Sequence, residues 1–103
     1  MIYSYVRVST ADQSLQSQQS IINDYVVRNK LIIDETIEAH ISSRKSPEAR
    51  KIIDLISKLQ SGDTLICSEL SRLGRSLAET LQLVDQIKDK HLNSSYLLYY
   101  FLN

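Results

Sequence analysis

"MIYSYVRVSTADQ" (residues 1–13) reads as a strand that runs straight into a helix. Ile2, Val6 and Val8 fall on one face of an extended chain, and Tyr3, Tyr5, Arg7 and Ser9 on the other. Thr10, followed three residues later by Gln13, is a capping-box pattern, so a helix is predicted from about Ala11. Leu15, Ile21, Ile22, Tyr25 and Val26 give that helix a partial apolar stripe as far as Arg28. The polar pair Arg7 and Ser9 is the unexpected feature. It stands at the end of a strand, where open α/β sheets keep their ligand sites.

The same alternation continues downstream. "LIIDETIE" (31–38) predicts a second strand, and the polar stretch "AHISSRKS" (39–46) a loop. Ser46-Pro47-Glu48 is a helix start, with a serine cap, a proline in the first turn and an acid near the positive dipole end. Ala49, Ile52, Ile53, Ile56 and Leu59 recur at helical spacing until Gly62 ends the run. "DTLICSE" (63–69) predicts a third strand. Residues 70–90 predict a long helix with Leu73, Leu77, Leu81, Val84 and Ile87 on one side. Strand and helix alternate throughout. The expected fold is α/β, a mainly parallel sheet of about four strands with helices on both faces. A fourth strand would come from "YLLYYFL" (96–102), which otherwise reads as an unrelated apolar tail.

Composition narrows the function classes. The chain has 103 residues, enough for one domain with a real core. Twelve basic and twelve acidic residues cancel, so bulk charge argues for neither nucleic acid nor membrane, and an electrostatic partner must be met by a local cluster. One cysteine, Cys67, excludes a disulfide framework, and His40 and His91 form no zinc-type spacing. Two glycines in the whole chain leave no phosphate-binding glycine loop. No signal peptide or membrane-spanning run is read, and a reduced cytoplasmic location is expected.

The predicted topology brings the ends of three strands to one edge. Arg7 and Ser9 lie at the end of the first strand, Arg44 and Lys45 follow the second, and Arg72 and Arg75 follow the third, with Arg50 in the first turn of its helix. Ser9 is the attractive nucleophile. A serine hydrolase would want a histidine base and a G-x-S-x-G elbow, and "RVSTA" supplies neither. Guanidinium groups bind phosphate oxygens in pairs and stay charged at any relevant pH. Phosphoryl transfer depends on charge stabilisation and in-line positioning. A serine among arginines therefore points to attack on a phosphate ester. Taken singly, Ser9 also reads as a helix cap, Arg72 and Arg75 as a solvated helix face paired with Glu69 or Glu79, and His40 as loop surface.

Together, "YVRVSTADQSLQSQ" and "GDTLICSELSRLGRS" resemble the two active-site motifs of the serine recombinases, the resolvase and DNA-invertase family, in the family's order. The resemblance covers about residues 2–90. It implies that Ser9 attacks a DNA phosphodiester to form a 5′-phosphoserine link, followed by strand exchange and religation. It implies that Arg7, Arg72 and Arg75 bind the scissile phosphate, and that Gln13 and Gln18 occupy polar positions beside the serine. For a further family arginine Arg50 is the best match and Arg44 the competitor. Ser71 stands where many members carry an aspartate. The resemblance implies no metal and no other cofactor, DNA as partner, and a homo-oligomer, dimer or tetramer.

The expected organisation is a catalytic domain over 1–92 and an atypical tail over 93–103, without the family's DNA-binding domain. Such a chain would bind DNA weakly alone. The alternative to an active recombinase is an inactive truncated remnant, or an association module that modulates a full-length recombinase.

Overall fold

A computed structural model describes residues 1–9, 14–41, 47–69, 72–74 and 76–89. The elements are β1 (Ile2–Ser9), α1 (Ser14–Arg28), β2 (Glu35–Ile41), α2 (Pro47–Lys58), β3 (Thr64–Ile66) and α3 (Leu77–Asp89). β1 is central in a parallel three-stranded sheet of order β2-β1-β3. The expected α/β class and parallel sheet are therefore present, with three strands among the described residues. The stretch expected to supply a fourth, 96–102, lies outside them.

Register sorts the side chains into two layers. Tyr3, Tyr5, Ala39, Leu65 and Cys67 share one core with Ile52, Leu55, Ile56 and Leu59 of the α2 segment and with Leu83, Val84 and Ile87 of α3. Val6 and Ile66 form the other core with Ile22 and Val26 of α1. Helices thus cover both faces, α1 on one and α2 with α3 on the other. This is why β1 carries apolar residues on both faces. Each fully buried Leu or Ile contributes about 1.5–3 kcal/mol through the water it sheds.

Several boundaries differ from the sequence reading, each for a local reason. β2 begins at Glu35 and runs to Ile41, so the predicted loop residues 39–41 are strand. The apolar run at 31–33 ends α1 instead. Lys30 takes φ 56°, and the N–H of Leu31 donates to Val26 O at 2.9 Å while that of Lys30 donates to Val27 O at 3.3 Å. This is a Schellman ending with Lys30 in the place usually held by glycine. Leu31 and Ile33 then pack on the α1 core. β3 is three residues long rather than seven. Before it, Asp63 N–H donates to Gln60 O (2.9 Å), and Gly62 at φ 92° makes the turn that a side chain would resist.

α3 starts at Leu77, not near 70. Ser76 caps it, its Oγ accepting the N–H of Glu79 at 3.2 Å. Ser76-x-x-Glu79 is a capping-box spacing inside the predicted helix, and it marks the true start. The later start changes the buried face. Thr80, Leu83, Val84 and Ile87 face the core, while Leu77 and Leu81 are exposed. Leu73 is buried from the connection before the helix. In α2, Leu55 takes the buried position expected of Ile53, which is exposed.

Candidate active site

From β1 the chain passes through α1 to β2 on one side, then crosses back through α2 to β3 on the other. In doubly wound sheets this reversal opens a crevice at the carboxyl ends of the two diverging strands. Here those ends belong to β1 and β3. β3 pairs only with Ile2–Ser4 of β1, so Tyr5–Ser9 run on for about 16 Å with no β3 partner. Arg7 and Ser9 lie on that overhang, and Cys67, just after β3, shares a core with Tyr5.

An unpaired length of central strand must satisfy its peptide groups elsewhere. In a parallel strand both groups of one residue point to the same neighbour, and residues alternate. Met1 O accepts Thr64 N–H on the β3 side (2.9 Å), so the odd residues, Arg7 included, face that side. There Gln18 replaces the missing strand. The N–H of Arg7 donates to Gln18 Oε1 at 3.2 Å, and Gln18 Nε2 donates to Arg7 O at 3.0 Å. Gln18 is 2% exposed and shares the buried side of α1 with Ile22 and Val26. Sequence reading placed Gln18 beside the serine as a possible substrate contact. In the fold both ends of its amide hold the backbone that carries Arg7. The signal was a glutamine inside an apolar stripe, between Leu15 and Ile22.

Arg7 projects on the α2–α3 side. Its positive charge acts on the Tyr5 hydroxyl, which burial pushes up to about 12 against the lowering effect of Arg7. Cys67 and Glu79 act in the raising direction. The Tyr5 hydroxyl is buried with no hydrogen-bond partner among the described residues. Cys67 is a small buried hydrophobe whose thiol burial pushes up to about 12.

Arg72 enters from the β3–α3 connection rather than from a helix face. Its N–H donates to Glu69 O at 3.1 Å, and its Nε pairs with Glu69 Oε1 at 3.2 Å. Leu73 beside it is buried in the α2–α3 core. Gly74 follows so close to α3 that a Cβ there would stand 2.7 Å from both Thr80 N and Thr80 Oγ1. These contacts hold the turn that presents Arg72.

Ser9 is the last residue of β1 and pairs in register with Ile41; Arg50 is in the first turn of α2. Of these two the backbone alone is described. Gln13, Arg44, Ser71 and Arg75 lie outside the described residues. His40 is a β2 residue, exposed and 3.3 Å from Glu38, not loop surface. It pairs in register with Val8, and so belongs to the α1 side of the sheet rather than to that of Arg7. Among the described residues no three His, Cys, Asp or Glu side chains converge as a metal site, and no helix is long and apolar enough to cross a membrane.

Comparison with known proteins adds an independent line. The family described as "Resolvase, N terminal domain" matches residues 2–94. A resolvase of Clostridium perfringens is 38% identical over 90 residues, covering 87% of this chain and 45% of that protein. The DNA-invertase of Escherichia phage P1 is 31% identical over 93 residues, covering 90% and 46%. The chain thus spans about half the length of these curated relatives. Among solved structures, the N-terminal catalytic domain of TP901-1 integrase superposes with a TM-score of 0.63 at 26% identity, over 88% of this chain and 72% of that one.

Proposed function

The chain belongs to the resolvase N-terminal domain family, and on that premise we propose that it is the catalytic domain of a site-specific serine recombinase, with residues 1–92 as the catalytic unit and DNA as its substrate. Ser9 Oγ attacks the phosphorus of a DNA phosphodiester. The P–O3′ bond breaks as the Oγ–P bond forms, and the serine proton ends on the departing 3′-hydroxyl. A 5′-phosphoserine link remains. Strand exchange brings a new 3′-hydroxyl to the same phosphorus, and the reverse step reseals the chain and frees Ser9. One phosphoester replaces another at each stage, so no external energy source is needed.

Arg7, Arg72 and Arg75 bind the non-bridging oxygens, whose charge grows on the way to the pentavalent arrangement. Arg50 in the first turn of α2, with Arg44 before that helix as the competitor, reaches the same phosphate. Gln13 and Ser71 complete the polar surroundings of the substrate. The observation that carries this reading is the placing of Arg7 and Ser9 together on an overhang of β1 that Gln18 pins through the Arg7 backbone. A nucleophile on a fixed strand end suits in-line attack, where small displacements cost large factors in rate. Acting on duplex DNA at two sites requires more than one copy, so the working form is a homo-oligomer. With no net charge, this region alone holds DNA weakly.

Incubation with supercoiled DNA bearing a crossover site tests the proposal. The expected product is a covalent protein–DNA adduct that resists denaturant and disappears in Ser9→Ala. Absence of any adduct, even after fusion to a DNA-binding domain, overturns the enzymatic reading in favour of an association module.

A further inference from the structure

β2 is the outermost strand on its side of the sheet, and among the described residues no strand pairs with its far edge. The register says which peptide groups that edge presents. Odd residues of β1 face β3, so its even residues face β2. Each of these bonds to the two residues that flank its register partner. Ser4, Val6 and Val8 stand opposite Thr36, Glu38 and His40, so their bonds run to Glu35, Ile37, Ala39 and Ile41. The N–H and C=O groups of Thr36, Glu38 and His40 therefore point outward. Such a row is a template for another strand. One group in it is occupied. Lys51, from α2, donates from Nζ to the carbonyl oxygen of Glu38 at 2.7 Å. Glu38 is the middle one of the three outward residues.

We propose that the outer edge of β2 is a latent pairing surface for the β2 strand of a second copy of this chain, and that Lys51 holds it shut. The side chains favour a second copy as the occupant. Two β2 strands meeting antiparallel about a two-fold axis bring outward residues opposite one another. Centred on Glu38, the register sets two carboxylates face to face. Centred on Ala39, it sets Glu38 opposite the second copy's His40, twice, with Ala39 against its own counterpart. No other centre between Thr36 and His40 makes that match. Glu38 and His40 already approach to 3.3 Å within one chain, on side chains 40% and 57% exposed. The axis therefore gathers two carboxylates and two imidazoles. A groove of about 360 Å³ between β2 and α2, walled by Ile37, Leu55 and Lys51 among others, leaves room beside the edge for an incoming strand. In this register Glu38 N–H and C=O both bond to the second copy's His40. Lys51 sits on that carbonyl in each copy. Pairing must strip both ammonium groups of their acceptor and cover them, and covering an unpaired charge is costly.

The test compares the full chain with Lys51→Met, which keeps the apolar stem and removes the ammonium, and with Lys51→Met combined with His40→Glu. Hydrogen exchange over a concentration series locates the contact, and sedimentation gives the number of copies. In the unsubstituted chain the amides of Thr36, Glu38 and His40 exchange as open groups. In Lys51→Met they gain protection as two copies associate, and the midpoint concentration falls at least about tenfold. In the double variant four carboxylates meet at the axis, and the midpoint returns to within about threefold of the unsubstituted value. Lys51 is exposed, so equal urea midpoints in dilute solution should show that the fold is kept; Lys51→Ala takes the place of a methionine variant that fails this check. An unchanged midpoint after loss of the ammonium overturns the proposal. So does association that leaves the three amides open, or association that His40→Glu does not weaken. None of these readouts involves DNA, so they stand apart from the recombinase reading.

Discussion

Gln18→Glu separates hydrogen bonding from shape at the position that finishes β1. The two side chains are nearly isosteric, so packing against Ile22 and Val26 is kept. A carboxylate still accepts from Arg7 N–H. Its second oxygen, however, meets the Arg7 carbonyl oxygen where the amide now donates at 3.0 Å. A buried carbonyl left without its donor costs about 1–3 kcal/mol, and desolvating the new charge adds to that, so the loss at neutral pH is about 3 kcal/mol. The penalty depends on pH with a definite sign. Burial against a carbonyl raises the folded-state pKa of the substituted carboxyl above its unfolded value of about 4.3. Below the unfolded value both states are protonated, the acid donates to Arg7 O, and the penalty is small. It grows as pH rises past the unfolded value and is complete above the folded one. Urea unfolding of both proteins at pH 4 and pH 7 reads this directly. With a slope of about 1–1.5 kcal/mol per molar, the midpoint of Gln18→Glu falls by about 2–3 M at pH 7, and the gap narrows at pH 4. Equal midpoints at pH 7, or a gap that ignores pH, would refute the claim that Gln18 stands in for a strand.

Two further outcomes follow from the same geometry. Gly74→Ala puts a methyl 2.7 Å from the Thr80 backbone nitrogen, so the connection must shift; thermal or urea unfolding should show a loss of about 2 kcal/mol, and adduct formation should fall with it because Arg72 rides on that connection. Asp63 accepts from the Met1 ammonium at 2.7 Å, and that bond, followed by the Gln60 N–H, holds its carboxyl below the usual range while raising the amine. The carboxyl contributes stability above its unfolded pKa and loses it as pH falls through the lower folded one. The amine contributes below its unfolded pKa and loses it as pH rises through the higher folded one. The urea-midpoint difference between the unsubstituted chain and Asp63→Asn should therefore be largest between about pH 4 and pH 8 and shrink on either side.

Much of this was legible in the chain, because period and punctuation are local properties. The two faces of β1, the start of α2 at Pro47 and the turn at Gly62 are decided by residues within a few positions of each other. The pairing of Arg7 with Ser9 at a strand end, and the second motif around Arg72, could likewise be read directly. What went astray involved choices between competing local signals. Leu31 to Ile33 has strand composition, but the αL turn at Lys30 and the α1 core claimed it. The leucines at 73, 77 and 81 keep helical spacing across a segment that is not helix, so counting through it put Leu77 and Leu81 on the wrong side.

The site's supports belong to a different category. That Gln18 completes β1 follows from β3 stopping opposite Ser4, and the length of β3 depends on packing between distant segments. That the turn from Glu69 to Arg72 is held follows from Leu73 in one core and Gly74 against Thr80. The sequence by itself determined the alternation of strand and helix and the placing of Arg7 and Ser9 at the end of a strand, since each is written in neighbouring residues. Tertiary structure alone decided where β3 ends, which backbone groups that leaves open, and which side chains close them, because a hydrogen bond across eleven residues or more exists only once the sheet and its helices have been brought together.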